Sequence, residues 1–285
     1  MKQGDTPYWT TVITADTAAN GLGLRELWRK RYLIWLFVKR DITVQFKQTI
    51  FGMGWYFISP LFSMVMYLIV FGRIAGIPTD EVPQPVFYLS GICLWEYFSE
   101  CLMAVSDTFQ RNANLYGKVY FPRLVSPVSV VISRLFRFSL QLAVFILVYI
   151  IFVCKGAPLR PTWYLLLFPL LILMIQGLAL GVGLIVSSLT TKYKDLTNVF
   201  GVLVSLWMYA TPIVYPLSYV TKPTLRSLML LNPMTAVIET FKVGAFGQGQ
   251  FSWESLAYSA VIILVLLLIG VLLFNRKQKF FIDTI

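Results

Sequence analysis

Apolar residues in this chain fall in long blocks separated by short polar and basic connections, a pattern unlike the period-two alternation of strands or the single apolar stripe of a soluble helix. No Lys, Arg, Asp or Glu lies between Lys47 and Arg73, between Pro161 and Thr191, between Leu196 and Thr221, or between Ser255 and Asn275. About 20 such residues in a helix cross the hydrocarbon core of a bilayer. Two further stretches are long enough but carry charge: Phe87 to Phe109 holds Glu96, Glu100 and Asp107, and Pro127 to Cys154 holds Arg134 and Arg137. The pattern predicts an all-α membrane protein with six transmembrane helices, at about 50–72, 87–109, 127–154, 162–190, 196–216 and 254–275. Residues 49–275 form the six-span domain, flanked by a cytoplasmic tail and interfacial helix (1–48) and a short cytoplasmic C-terminal tail (276–285).

Basic residues set the orientation. With six spans, Lys2, Arg25, Arg29, Lys30, Arg31, Lys39, Arg40, Lys47, Arg111, Lys118, Arg123, Lys192, Lys194, Arg276, Lys277 and Lys279 share one side, whereas Arg73, Lys155, Arg160, Lys222, Arg226 and Lys242 fall on the other. The positive-inside bias therefore places both termini in the cytoplasm. Met1 to Asn20 is polar and has no apolar core of a cleavable signal peptide, so the first span is expected to stay in the mature protein.

The connections divide by chemistry. Leu22 to Lys47 reads as an amphipathic helix, with Leu24, Leu27, Trp28, Tyr32, Trp35 and Leu36 near one face and basic residues opposite, suited to lying in the headgroup layer; a solvated cytoplasmic helix is the alternative. The loop 110–126 interleaves Arg111, Lys118 and Arg123 with Leu115, Tyr116, Tyr120 and Phe121, which fits either a cytoplasmic partner's groove or headgroup anchoring. Between Thr211 and Trp253, Pro212, Pro216, Pro223 and Pro233 and then Gly244, Gly247 and Gly249 interrupt moderately apolar sequence. Two short re-entrant periplasmic helices between spans five and six fit this better than a further span, with a plain outer loop as the alternative.

Composition narrows the chemistry. The 285 residues are 58% hydrophobic and 13% charged, with mean hydropathy +0.72 and a formal charge of +11, a balance that excludes a water-soluble domain and turns the basic excess toward membrane topology, not nucleic acid. Histidine is absent, which removes imidazole bases, His-containing triads and His metal sites. Cys93, Cys101 and Cys154 show no CxxC pair and read as small hydrophobes. Neither catalytic residues, nor a cofactor site, nor a metal site is expected. Gly117-Lys118 is followed by Val119 and lacks the rest of a P-loop, so energy for uphill transport would come from an ion gradient or a separate ATPase.

Glu96 and Glu100 lie four residues apart on one face of the second span. They would line a passage, pair with Arg134 or Arg137, or relay protons in a proton-coupled lipid or solute transporter; a membrane glycosyltransferase is a third class, but the cytoplasmic acids Asp41, Asp107 and Asp195 stand apart. Aromatic residues make up 16% of the chain. Trp55, Tyr56, Trp95 and Tyr97 are candidates, beside Glu96, Glu100 and Arg134, for contact with a sugar chain in a channel, although belt and packing roles suit most such residues.

Several runs then become recognisable in order: Lys39-Arg40-Asp41-Ile42, Phe46-Lys47-Gln48-Thr49, Gly54-Trp55, Pro60-Leu61 and Phe71-Gly72; Lys118-Val119-Tyr120-Phe121-Pro122-Arg123; Tyr193-Lys194-Asp195-Leu196; Pro212-Ile213-Val214-Tyr215-Pro216; Asn232-Pro233-Met234; and Phe241-Lys242. From about residue 24 onward the chain resembles the ABC-2 type polysaccharide export permeases, the membrane subunits of O-antigen, capsule and teichoic acid exporters. The resemblance implies a homodimer of six-span subunits around a continuous channel in the bacterial inner membrane. It also implies two copies of a nucleotide-binding subunit holding ATP and Mg, and a lipid-linked glycan substrate, O antigen being preferred. It assigns ATPase coupling to Arg40, Asp41, Lys118, Phe121, Pro122 and Arg123. The outer gate maps to about 213–246 with Pro212, Tyr215, Pro216, Asn232 and Pro233. A lipid pyrophosphate would meet Arg40 or Arg134.

Overall fold

A computed structural model describes residues 24–46, 52, 54–112, 115, 121–190 and 195–277. Among them there is helix, short turns and no strand. The helices are α1 (Leu24–Arg29), α2 (Arg31–Phe46), α3 (Gly54–Tyr67, continued by a π-helical turn Leu68–Ile74), α4 (Gln84–Ser106), α5 (Thr108–Arg111), α6 (Val125–Cys154), α7 (Phe168–Thr190, preceded by a 3-10 turn Trp163–Leu167), α8 (Leu196–Tyr209), α9 (Pro223–Leu231), α10 (Pro233–Phe246) and α11 (Trp253–Lys277). Four of these elements are long and apolar enough to cross a membrane: Gly54–Ile74, Val125–Cys154, Trp163–Thr190 and Trp253–Lys277.

α4 sits at the centre, packed by α3, α6, α7 and α8, and it buries almost its whole surface from Val86 to Ser106. Pro85 in its first turn supplies a helical φ where no backbone donor is needed. The expected fifth span, 196–216, is helix only over Leu196–Tyr209. Pro212 and Pro216 lack the amide donors that would continue it, and Pro212 also disfavours helix at Thr211, so the chain leaves the helix there as turns.

The most extensive pairing is α7 against α11, and glycine makes it possible. A Cβ at Gly270 would stand 2.5 Å from the Gly181 carbonyl oxygen, and one at Gly181 would stand 2.8 Å from the backbone of Leu266 and Leu267. The two backbones therefore touch, the close approach that small residues give helices in lipid. α10 is a short, deeply buried helix with matched ends. Asn232 caps its start by accepting the Met234 N–H at 3.1 Å, Pro233 occupies the first turn, and Gly247 ends it at φ +71°. Its last carbonyls are taken up from outside: Gly244 O accepts from Thr162 N at 2.8 Å, Val243 O from the Thr162 hydroxyl at 2.8 Å, and Phe246 O from Arg160 N at 3.2 Å.

Candidate functional sites

Three polar or aromatic clusters stand out. The first joins α2 to the chain entering α6. Phe37 and Val38 are buried on the side of α2 that packs on α6, while Trp28, Tyr32, Trp35 and Leu36 are exposed. The Phe37 ring meets the buried Phe121 ring at 5.3 Å, the Arg40 guanidinium lies 4.4 Å above Phe37, and Arg40 donates to Asp41 Oδ1 at 2.8 Å. Three of the residues assigned to coupling thus share one cluster. Pro122 and Arg123 are half-buried in the turn that starts α6, where their carbonyls accept from Val125 and Ser126. Lys118 lies outside the described residues.

The second cluster is a polar seam within the bundle. Successive turns of α4 present Glu96 and Glu100 to α6. Glu100 pairs with Arg137 at 2.7 Å and faces Arg134 at 3.9 Å; Glu96 accepts from Gln141 Nε2 at 2.6 Å. Arg137 also stands over the Tyr56 ring of α3 at 4.9 Å. The arginines recur at i and i+3 and the glutamine four further on, so one stripe of α6 serves both carboxylates. Both carboxylates have protein partners, which makes a structural seam the first reading.

The remaining channel candidates divide by burial. Trp55 is 49% exposed on α3, and Tyr56 is half-buried beneath Arg137. Trp95 and Tyr97 are buried: Trp95 packs on Phe98 and Trp207, and Tyr97 packs on Phe138 at 4.7 Å while accepting from Gln176 Nε2 at 2.8 Å.

The third cluster lies at the end of the bundle away from the Phe37–Phe121 contact. Residues 211–214 are buried against α4, where a Cβ at Gly91 would stand 2.8 Å from Ile213 Cγ2 and 3.2 Å from its Cα. Thr211 accepts from Asn232 Nδ2 at 2.9 Å, Tyr215 donates its hydroxyl to Tyr209 O at 2.7 Å, and Pro216 is buried. Pro233 is buried at the start of α10. The gate residues named from the sequence therefore assemble into one seated segment. What sequence reasoning missed is the ion pair beneath it. Glu239 and Lys242, one turn apart on α10, are 3% and 2% exposed and 3.3 Å apart. The missed signal was two opposite charges inside an otherwise apolar helix with a proline start and a glycine stop.

The sequence pattern of the ABC-2 type transporter family matches residues 32–246. The chain is 29% identical over 264 residues to the O-antigen export system permease protein RfbA of Myxococcus xanthus, covering 92% of this chain and 98% of that one. It is 27% identical over 241 residues to the polysialic acid transport protein KpsM of Escherichia coli, covering 84% and 91%. A third relative is the capsule polysaccharide export inner-membrane protein CtrC of Neisseria meningitidis serogroup A, 25% identical over 272 residues, with 90% and 95% covered.

Proposed function

Because the chain belongs to the ABC-2 type transporter family, we propose that it is the membrane permease subunit of an ATP-driven exporter moving lipid-linked polysaccharide, O antigen first, across the bacterial inner membrane. The observation that carries this reading is its end-to-end similarity to permeases whose names span O antigen, polysialic acid and capsule. The cargo in those names differs, while the similarity covers 84–92% of this chain in each case.

In this reading six spans enclose a passage shared by two copies of the chain. α4 is the second span, its 23 residues long enough to cross and its carboxylates compensated by α6. α8 with the seated 211–216 segment is the fifth. Cytoplasmic termini follow from the basic residues, which puts the Phe37–Phe121 cluster on the inner face and α9 and α10 on the outer. Two copies of a nucleotide-binding subunit, holding ATP and Mg, dock on the inner face. Their closure pushes on α2 and the 110–126 loop, and α6 carries that motion to the seam it shares with α4. The segment 211–246 re-enters from the outer face and closes the passage; the non-helical backbone of its first stretch, 211–216, is tolerated because protein covers it. Arg40 and Arg134 are the phosphate contacts for the entering lipid, each sharing itself with a carboxylate neighbour.

The test is reconstitution. Vesicles holding this chain with a nucleotide-binding subunit that co-purifies with it should move lipid-linked glycan to the opposite face only with hydrolysable ATP. Transport by this chain alone, driven by a pH gradient and lost in Glu96→Gln, would establish the proton-coupled reading instead.

A further inference from the structure

The buried pair on α10 is more than a local salt bridge, because three other segments end on it. Lys242 Nζ donates to the Pro212 carbonyl and to Glu239 Oε1 at 3.3 Å, and it stands 4.1 Å over the Phe87 ring in the first turn of α4. Glu239 Oε2 accepts the Gln250 N–H at 3.0 Å from the turn after α10. Asp80 lines the same small cavity and accepts the Ser218 hydroxyl at 2.8 and 2.7 Å, which ties the loop before α4 to the chain just after Pro216. Both Asp80 and Glu81 hold positive φ, at 47° and 64°, a backbone state kept only where surrounding contacts impose it. A charge with so little exposure is stable only while its partners stay in place. The carbonyl it holds belongs to Pro212, in the non-helical stretch seated on Gly91.

We propose that Lys242 and Glu239 are the positioning residues of the outer closure: the ammonium fixes the Pro212 carbonyl, the carboxylate fixes both the ammonium and the 247–250 turn, and residues 211–216 leave α4 only when this pair exchanges partners. The proposal rests on the reading of 211–246 as the outer gate. The cavity beside the pair, about 10 Å³ and lined by Asp80, Phe87, Pro216, Glu239 and Lys242, has room for about one water. That water would take over the ammonium's hydrogen bond as the carbonyl departs, so release does not strand a bare charge.

The experiment uses the complex with its ATPase in dye-loaded vesicles, in a Cys154→Ser background that removes the exposed native thiol. The double variant Thr211→Cys/Asn232→Cys, whose native side chains already touch at 2.9 Å, is cross-linked by oxidation and released by reductant. Blocked export that reductant restores is the expected result, and export unaffected by the cross-link would overturn the gate reading itself. Separately, Lys242→Met should raise nucleotide-independent dye leak by about tenfold or more, and Glu239→Gln, which keeps an acceptor of nearly the same shape, by about threefold. Placed on the cysteine pair, either leak should stop on oxidation and return on reduction, which general loss of packing would not do. If the cross-link blocks export yet Glu239→Gln leaks no more than the parent, the latch is overturned while the gate stands. A Glu239→Gln leak indifferent to the cross-link would also overturn it.

Discussion

Glu100 of α4 and Arg137 of α6 meet at 2.7 Å in the interior of the bundle, with Arg134 held further back at 3.9 Å. One carboxylate thus serves two guanidiniums, and the shorter contact belongs to the arginine that also lies over Tyr56. Arg137→Gln should therefore destabilise more than Arg134→Gln, by roughly 3 kcal/mol for the closer pair. Glu100→Gln combined with Arg137→Gln should recover much of that loss. Thermal melting of these three variants and of Glu100→Gln alone in one detergent checks the order, and additive losses would show that the two residues do not act as a pair.

Glu96→Gln keeps an amide oxygen where Gln141 donates. ATP-driven export should stay within about twofold of the parent, with its pH profile unmoved. Measuring export from pH 6 to 8 decides this, and a flattened or displaced profile would return Glu96 to the list of proton carriers.

Phe37→Ala and Phe121→Ala remove the two rings of the α2 contact. Truncating either buried ring should cost about 3–5 kcal/mol, of which the aromatic pair is about 1, so recovery of monodisperse protein is checked first for each single change. The expected effect is on coupling: weaker retention of the ATPase on co-purification, and hydrolysis less responsive to glycan. Normal retention and normal stimulation in both variants would move the docking surface elsewhere on the inner face.

Gly270→Ala puts a methyl group against the Gly181 carbonyl, where backbone and not a flexible side chain must yield. A loss of about 1–3 kcal/mol is expected, seen as poorer recovery of monodisperse protein. Gly201→Ala is the control, since its added carbon would meet only Met103 Cε at 3.5 Å, an ordinary contact.

The apolar blocks were legible because a charge in the hydrocarbon region is costly, and so blocks free of charge mark helices without any knowledge of packing. The end of the fifth expected span was less so. Apolar composition continues past Tyr209 to Pro216, and only the missing proline amides mark where helix stops. Trp95 and Tyr97 show a second limit. Outside the face that carries Glu96 and Glu100, α4 is apolar all round, so no stripe in its sequence separates a ring that packs against a neighbouring helix from one that faces a passage. Glu239 and Lys242 show a third. Opposite charges three apart on a helix are usually a solvated pair, and Lys242 by itself counts as one more outer basic residue; the seat that buries the pair is built by residues 212 and 87, remote in sequence, and by the backbone of residue 250 on Glu239.

The touching backbones of α7 and α11 bear on where the subunit can yield. Helices in such contact have no side-chain cushion to deform, so sliding one past the other would require the backbones themselves to part. α3 and α8 are the opposite: α3 buries only Pro60 and α8 only Val204, while Phe62, Val202 and Leu206 stand bare on their flanks. Strain arriving from the cytoplasm would thus collect in those two loosely held staves. Whatever sheathes them, acyl chains or a sister copy, becomes a mechanical component of the pump.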